Sequence, residues 1–247
     1  MCRIFGYIGP PVGLDTLLSA PPHSLTQQAS APRLQDPGRL NADGWGVAWY
    51  DATITDEPAR YRTSTPMWAD NRFRDIGRFI RSGHVVAAVR HASPGSPIEE
   101  TGNSPFIAGP YSFTHNGYVD GFRNGLGVSL RRGLSERRDG EIRGASDSEV
   151  VFAMVLDQLD KGASMADALA SALEELPARG KGKFNFILSD GHTMLATREG
   201  NSLFTLGRLD ARFVASEPFD DGVGWVEVPD HSLVTMTGDA LRVEPLT

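Results

Sequence analysis

Cys2 is the residue whose type and position most directly suggest chemistry. It is the only cysteine among 247 residues, and it follows the initiator methionine. Because a small residue at position 2 favours removal of Met1, the chain would then begin with a thiol and a free α-amine on one residue. Such an amine can act as a base toward its own side chain, directly or through a water. The alternative is a small apolar side chain in an edge strand.

A second candidate for chemistry is the motif FTHNG at positions 113–117. We expect a strand to end at His115 and Asn116-Gly117 to form a tight turn. The Asn116 side-chain amide and the Gly117 backbone N–H would then converge on a developing oxyanion. Asn-Gly is also among the commonest hairpin turns, so the motif by itself fits either role.

Two charged residues are candidates for binding the charged groups of an amino acid. Arg90 ends the apolar strand HVVAAVR, where a guanidinium is costly unless an anion accompanies it. Its planar fork fits a carboxylate in two-point contact; the alternatives are an ion pair with a protein carboxylate or a side chain that leaves the strand end. Ser146 and Glu149 predict a capping box at a helix start. Asp147 between them is either a first-turn charge or the partner of an ammonium group.

The elements that must position these residues are strands, then a central pair of helices, then strands again. The helices are predicted over SDSEVVFAMVLDQLDKG and SMADALASALEELPARG. This order is not a regular βαβ alternation, and it predicts an α+β fold of antiparallel sheets covered by helices. Trp45 follows the Asp43-Gly44 turn at the start of the strand WGVAWYD, where it either packs in the core or lines a site.

The composition argues against several classes of function. A formal net charge of −7 repels phosphate backbones and disfavours nucleic-acid binding. No stretch approaches the roughly 18–20 apolar residues of a membrane span, and the N-terminus lacks the apolar region of a secretory signal. One cysteine permits no internal disulfide, which fits a reducing cytoplasm. Neither this cysteine nor the scattered histidines predict a metal site. We expect no cofactor and a single domain over residues 2–247.

Taken together and in this order, the motifs resemble the class II glutamine amidotransferase domain of the N-terminal-nucleophile hydrolases. Members of that family have an N-terminal cysteine, a loop like NADG at positions 41–44, a strand that ends in arginine, a His-Asn-Gly motif and an aspartate near a helix start. The resemblance extends over roughly residues 2–155. It implies a four-layer αββα sandwich of two antiparallel sheets, and the later strands are consistent with that fold.

The resemblance also implies a role for each matching residue. Cys2 matches the nucleophile, and Asn116 and Gly117 match the oxyanion hole. Arg90 matches the residue that binds the glutamyl α-carboxylate. Asp147 matches the partner of the α-amino group.

Four other positions qualify the resemblance. Ser93 takes the place of a threonine that often assists the arginine. His91 stands where the family varies, so we expect a backbone contact from it at most. Arg3 replaces the glycine that is common after the cysteine in many amidotransferases. A retained Met1 would block the amine, so we expect the active form to lack it.

Wider stretches resemble one branch of the family, the hydrolases of ergothioneine biosynthesis: PPHSLTQQASAPR, NADGWGVAWYD, RYRTSTPMWAD and FTHNGYVDGF. That branch cleaves the γ-glutamyl amide bond of γ-glutamyl-hercynylcysteine sulfoxide and releases glutamate, which implies a small γ-glutamyl substrate. Its leaving group carries a trimethylammonium group, which an aromatic face can hold. Among the aromatic residues near the motifs, which include Phe122, Trp45 is our best candidate for that contact.

Two other functions fit the same residues. A glutaminase subunit would supply ammonia to a partner synthetase, because one sandwich of this size leaves no room in 247 residues for a synthetase domain. A catalytically silent module would keep the glutamyl pocket without turnover. The presence of Cys2 argues against the silent module.

We expect Cys2→Ala to abolish amide hydrolysis and to leave the fold intact, because the substitution removes one thiol from an otherwise unchanged core. Turnover of a γ-glutamyl substrate and the circular dichroism of the same sample check the two halves of this prediction. Substantial residual hydrolysis would contradict the assignment of Cys2 as the nucleophile.

Overall fold

The computed structural model describes residues 2–34, 40–93 and 95–246. Its strands are β1 (Arg3–Gly13), β2 (Trp45–Asp51), β3 (Thr55–Thr63), β4 (Arg81–Val89), β5 (Phe106–Ala108), β6 (Tyr111–Val119), β7 (Gly182–Ser189), β8 (Met194–Arg198), β9 (Phe204–Gly207), β10 (Arg212–Ala215), β11 (Val226–Glu227), β12 (Ser232–Met236) and β13 (Leu241–Pro245). Its α-helices are α1 (Leu14–Leu18), α2 (Leu25–Ser30), α3 (Asn71–Ile76), α4 (Leu126–Arg131), α5 (Glu136–Glu141), α6 (Asp147–Asp160) and α7 (Met165–Arg179).

The strands form two sheets. The first has the order β11-β9-β10-β1-β4-β2-β3, and the second has the order β13-β12-β8-β7-β6-β5. All neighbouring strands in both sheets run antiparallel. The predicted α+β class with antiparallel sheets is therefore confirmed.

The buried apolar residues form three layers, which place the two sheets face to face between helices. On β1, Ile4 and Ile8 point into the layer between the sheets. Phe5 and Tyr7 point the other way, into the layer under α1 and α2, as the two-residue period of a strand requires. A third layer lies between the second sheet and helices α6 and α7. The order helices, sheet, sheet, helices is the αββα sandwich that the resemblance implied.

The start of α6 has only one of the two hydrogen bonds of the predicted capping box. Ser146 Oγ accepts from the Glu149 N–H at 3.2 Å, as predicted. The Glu149 carboxylate, however, accepts from the Arg143 and Gly144 N–H groups at 2.9 and 2.6 Å. The carboxylate therefore holds the loop that precedes α6. Across the described ranges, the helices are all too short or too polar to cross a bilayer.

A buried hydrogen bond joins the two sheets at His84 on β4. The His84 Nε2 atom lies 2.5 Å from Ser189 Oγ on β7, and the ring contacts Tyr50 edge-on, with 5.0 Å between the ring centroids. Burial lowers the pKa of His84 to about 4, because desolvation disfavours the charged ring. The folded protein therefore holds this histidine neutral.

We expect His84 to make the folded state less stable as the pH falls from about 6.5 toward 4, because the unfolded chain takes up the proton first. At pH 4.5 the loss amounts to roughly 2–3 kcal/mol of unfolding free energy. In urea unfolding, His84→Gln should therefore lose that much less stability than the wild type between pH 7 and pH 4.5. His192→Gln removes an exposed histidine and is the control. Equal losses in all three proteins would contradict the prediction.

Candidate active site

Cys2 and Arg90 lie at adjoining ends of two paired strands. Arg3, the first residue of β1, pairs with Val89, the last residue of β4. Ile4 and Ala88, each two positions further into its strand, point into the layer between the sheets. Strand alternation therefore directs Cys2 and Arg90 toward the second sheet. Cys2 is half-buried, and its thiol donates to the His91 carbonyl oxygen at 3.8 Å.

A buried ion pair holds the backbone of Cys2. Arg3 Nε donates to the Glu217 carboxylate at 2.6 Å, and both residues are almost fully buried. Arg3 Nη1 also donates to the Cys2 carbonyl oxygen at 2.9 Å. The second Glu217 oxygen accepts from the Arg33 N–H at 2.7 Å. The arginine that replaces the family's common glycine thus positions the residue before it.

Asn116 and Gly117 lie within strand β6, so the predicted hairpin turn is wrong. β6 continues past them and pairs Asn116 with Asn185 and Gly117 with Phe184 on β7. Pairing along the full length of β7 overrides the local preference of Asn-Gly for a turn. A Cβ on Gly117 would overlap the Lys183 carbonyl oxygen. The glycine is therefore required by the close approach of two backbones.

The Gly117 N–H points away from β7 and toward the open edge of β6. Its partner Phe184 directs its own N–H to the Glu199 carbonyl on the far side of β7, at 2.9 Å. This is the pattern of an antiparallel pair that is not hydrogen-bonded. Two residues along the same edge, the Asp147 carboxylate accepts from the Val119 N–H at 2.9 Å. β5 covers this edge at positions 111–113, so the edge at Gly117 is left open to a ligand.

The Asn116 side chain is fully buried and points toward the first sheet. Its Nδ2 donates to Ser216 Oγ at 3.1 Å, and that hydroxyl accepts from the Ile4 N–H at 2.9 Å. Asn201 Nδ2 lies 3.4 Å from Asn116 Oδ1, which fixes the end of the amide that donates. Among the described residues no other group accepts from this amide. Asn116 itself lines neither of the cavities beside the thiol, whereas its neighbour Gly117 lines both.

Arg90 has a carbonyl group rather than a carboxylate as its partner. Both of its terminal nitrogens donate to the Pro97 carbonyl oxygen at 3.2 Å. A Cβ on Gly102 would stand 3.0 Å from the guanidinium, so the glycine lets the backbone pack against it. In the part of the chain that the structure describes, no carboxylate pairs with Arg90. The alternative of a protein ion pair is therefore wrong, and a buried cation is left for an anionic ligand.

Asp147 joins the open edge of β6 to the start of α6. Its Oδ2 accepts from the Val119 N–H at 2.9 Å, and its Oδ1 accepts from the Ser148 N–H at 2.8 Å. A carboxylate has about four acceptor positions, so these contacts leave capacity for a ligand. The first-turn charge and the ammonium partner are thus compatible roles for one side chain.

His115 is a residue of the site that the sequence interpretation missed. Its Nε2 lies 2.8 Å from the Lys183 carbonyl oxygen, and its Nδ1 lies 3.0 Å from Ser148 Oγ. Because a carbonyl only accepts, Nε2 carries the proton and Nδ1 accepts from the serine. Burial lowers the pKa of His115, which keeps the ring neutral. The available signal was a histidine inside an apolar strand, directly before Asn-Gly.

Two adjoining cavities open beside these residues. The inner cavity has a volume of about 30 Å³ and contacts Cys2, Arg90 and Gly117. It is nearly closed, with room for about one or two waters. The outer cavity has a volume of about 680 Å³, within the range of small-molecule sites. Asp147 and Ser93 line both cavities. Within the described ranges, no group of three or more His, Cys, Asp or Glu side chains is arranged to hold a metal.

The segment after Arg90 lines both cavities and is held by the loop before β2. His91 Nδ1 lies 3.0 Å from the Leu40 carbonyl oxygen, and the same atom is 3.9 Å from the Asp43 carboxylate. Asp43 also accepts from the Ala92 N–H at 2.8 Å. His91 reaches Cys2 through its backbone carbonyl. The motif NADG thus supports the chain next to the thiol.

Trp45 does not reach the site. Its side chain is fully buried, its Nε1 donates to Asp70 at 3.1 Å, and its ring packs edge-on against Phe73. It belongs to the layer between the first sheet and its helices, because strand alternation directs it away from the second sheet. The expected contact of Trp45 with a leaving group is therefore wrong. Of the aromatic residues considered, Phe122 lines the outer cavity.

The fold and the site agree with one family. The model of the class II glutamine amidotransferases matches residues 25–238. Since this match covers most of the chain, the chain belongs to the class II glutamine amidotransferase family.

Particular relatives are similar over the whole chain. A γ-glutamyl-hercynylcysteine sulfoxide hydrolase of Mycobacterium tuberculosis is 36% identical over 247 residues, which are 100% of this chain and 97% of the relative. A protein of the same name from Mycolicibacterium smegmatis is 36% identical over 248 residues, with 100% of both chains covered. A solved glutamine aminotransferase class-II domain protein from Silicibacter pomeroyi has a TM-score of 0.70 at 24% identity, again with 100% of both chains covered. This structure has the same fold.

We expect Gly117→Ala to weaken both the fold and the reaction. The added methyl group overlaps the Lys183 carbonyl, so β6 and β7 must separate, which costs about 1–3 kcal/mol of unfolding free energy. The same shift displaces the Gly117 N–H, and loss of one oxyanion donor lowers kcat by roughly 100- to 1000-fold in other enzymes. Urea unfolding and turnover measure the two effects. Gly207→Ala, at a strand position where a Cβ meets no atom within 4 Å, should change neither. An unaltered kcat in Gly117→Ala would refute an N–H donor at this position.

Proposed function

We propose that the protein is an amidohydrolase that cleaves the γ-glutamyl amide bond of a γ-glutamyl-cysteinyl conjugate, namely γ-glutamyl-hercynylcysteine sulfoxide. One observation carries the proposal. A half-buried thiol, an open backbone N–H and a guanidinium without a carboxylate partner lie at the same small cavity, and a large cavity adjoins it. The relatives of that name, 36% identical over the whole chain, support the choice of substrate.

The reaction begins with Cys2 as the nucleophile. Its α-amine takes the thiol proton, and the sulfur attacks the γ-carbonyl carbon, so that a C–S bond forms and the carbonyl electrons move to oxygen. The Asn116 amide and the Gly117 N–H donate to this oxyanion. The protonated amine then gives its proton to the amide nitrogen, the C–N bond breaks, and the cysteinyl product leaves as an amine.

Water completes the reaction. It attacks the thioester carbonyl while the α-amine accepts its proton, the C–S bond breaks, and glutamate leaves as the thiol is restored. Because the amine makes both proton transfers, it must be free of a peptide bond to Met1. Met1 lies outside the described residues, and its removal is part of the proposal.

Arg90 and Asp147 recognise the amino-acid end of the glutamyl group. Arg90 exchanges the Pro97 carbonyl for the α-carboxylate, which is the stronger partner because the hydrogen bonds are charge-assisted and two-point. Asp147 keeps its contact with β6 and accepts from the α-ammonium with its remaining lone pairs. We assign Ser93, which lines both cavities, to assist Arg90.

The outer cavity accommodates the leaving group. Glutamine releases only ammonia, which needs no cavity of about 680 Å³, whereas a cysteinyl conjugate makes use of that volume. The walls include the half-buried Phe122 ring and Asp120, which suit a trimethylammonium group. They also include Arg123 and Lys183, which suit the carboxylates of the conjugate.

The remaining parts of the proposal concern the chain as a whole. We assign residues 2–247 to one domain, since both sheets draw strands from its first and second halves. A thiol nucleophile must stay reduced, which suits the cytoplasm. The net charge of −7 does not favour a nucleic-acid partner.

We expect the enzyme to prefer the γ-glutamyl sulfoxide conjugate to glutamine, because the conjugate alone uses the outer cavity. The kcat/KM values of both substrates, measured in competition on one preparation, test this preference. Phe122→Ala should lower kcat/KM for the conjugate by about two- to thirtyfold, the range of one cation–π contact. It should leave kcat/KM for glutamine unchanged.

Phe79→Ala is the matched control, because Phe79 is 74% exposed and lines neither cavity. Equal kcat/KM for both substrates in the wild type would overturn the hydrolase and favour a glutaminase subunit that supplies ammonia to a partner. If the wild type prefers the conjugate and Phe122→Ala keeps the same preference, the hydrolase function stands, but the contact of Phe122 with the cation is wrong.

A further inference from the structure

A third cavity lies where the edge strands of the two sheets meet. β3 is the last strand of the first sheet, and β5 is the last strand of the second. The cavity has a volume of about 350 Å³ and is bounded by these strands and by α5 and α6. Of the residues that line it, Phe106 alone also lines the inner catalytic cavity. The proposed reaction uses none of its charged groups.

Two of the arginines in this cavity are neutralised by neighbouring carboxylates. Arg138 pairs with Glu141 at 2.6 Å and with Asp160 at 2.7 Å. Arg137 pairs with the same two carboxylates at 3.3 and 3.6 Å. These ion pairs explain the charge on α5 without a ligand.

Three other arginines in the cavity, Arg60, Arg62 and Arg143, have no such partner. Across the described ranges, no carboxylate lies within 4.0 Å of their guanidinium groups. Arg60 Nη1 donates to the Pro105 carbonyl and Arg62 Nη1 to the Thr101 carbonyl, both at 3.4 Å. Arg60 and Arg62 therefore have long contacts with neutral oxygens in place of an ion pair.

Two acidic groups act on these arginines. Glu100 acts on Arg62 from outside the cavity lining. Glu149 lies in the lining and acts on both Arg60 and Arg62. Its carboxylate accepts from the Arg143 and Gly144 N–H groups at 2.9 and 2.6 Å, so it is engaged by the loop before α6. Together with the neutralised pairs on α5, it leaves an excess of positive charge in the cavity. A protein with a net charge of −7 thus has a local cationic site.

The cationic charge is held partly out of water. Arg60 and Arg62 are half-buried and stand two positions apart on β3, so they point to the same face. Burial, and then the charge of Arg62, lower the pKa of Arg60 to about 10. Two like charges that repel in a desolvated position are stabilised by an anion between them.

Part of the cavity lining is apolar. It includes Phe106 and Ile107 on β5 and Phe152 and Leu156 on α6. The volume lies near the lower end of the range for small-molecule sites. A wall of this kind favours an organic molecule over an inorganic ion.

We propose that this cavity binds a small organic phosphate, with the phosphate between Arg60 and Arg62 and the organic part against Phe106 and Ile107. A phosphate ester carries close to two negative charges and three acceptor oxygens, which two guanidinium groups can share. A single carboxylate can also contact both guanidinium groups, but it brings only one negative charge to two positive ones. The site does not depend on the proposed hydrolase function, since binding is observable without turnover.

Isothermal titration calorimetry of the whole protein with AMP tests the proposal, with adenosine and inorganic phosphate as partial ligands. AMP should bind saturably and more weakly as salt is raised. Adenosine should not bind, because it has no anion, and phosphate should bind more weakly than AMP, because it has no apolar part. Cys2→Ala protein should bind AMP as the wild type does, which shows that binding does not need turnover.

The double variant Arg60→Gln/Arg62→Gln should weaken AMP binding by about tenfold or more, since it loses charge-assisted contacts. Arg143→Glu reverses the charge of an exposed residue and should also weaken AMP binding; it keeps the proposal testable if the double variant does not fold. Arg132→Gln, exposed and outside the cavity, should bind AMP like the wild type.

Three results would overturn the proposal. The first is the absence of saturable AMP binding to the wild type. The second is an unchanged AMP affinity in folded Arg60→Gln/Arg62→Gln and in Arg143→Glu. The third is that inorganic phosphate binds as tightly as AMP. The organic part of the ligand and its apolar contacts would then contribute nothing to binding.

Discussion

One buried hydroxyl group joins the two halves of the candidate site. The thiol and the guanidinium come from the first sheet and the proposed oxyanion donors from the second, so the candidate site depends on a fixed spacing between the sheets. Ser216 Oγ accepts from the Ile4 N–H at 2.9 Å and from the Asn116 amide at 3.1 Å. Because Ile4 is two residues after Cys2, the same oxygen contacts both the strand that follows the thiol and the Asn116 amide. The close-packed apolar layer between the sheets resists changes in this spacing.

Local signals in the sequence predict the parts of the site that lie at the ends of elements. Cys2 precedes β1, Arg90 follows β4, and Asp147 begins α6. At each of these positions an apolar run or a cap signal starts or stops, and such changes are visible within a few residues. The antiparallel α+β architecture was predicted on the same basis, from the order of strand and helix patterns.

The parts of the site that depend on distant partners could not be predicted in this way. Asn-Gly favours a turn locally, but Gly117 lies inside β6 because β7 pairs along it. The sequence left open whether Trp45 packs in the core or lines a site, and only the layer under α3 shows that its side chain belongs to the core. The Arg3–Glu217 bond joins residues 214 positions apart. No pattern within one element specifies such a pair.

The central position of β1 sets the order in which the site is completed during translation. β1 leaves the ribosome first, yet it lies between β4 and β10 and pairs with positions 212–215. Until those positions have been synthesised, one edge of β1 has no partner, and Ser216 is not yet present to link Ile4 with Asn116. Contacts of such long sequence separation form late and slowly. A nascent chain therefore contains Cys2 early, but the candidate site around this thiol stays incomplete until residue 216 has been synthesised.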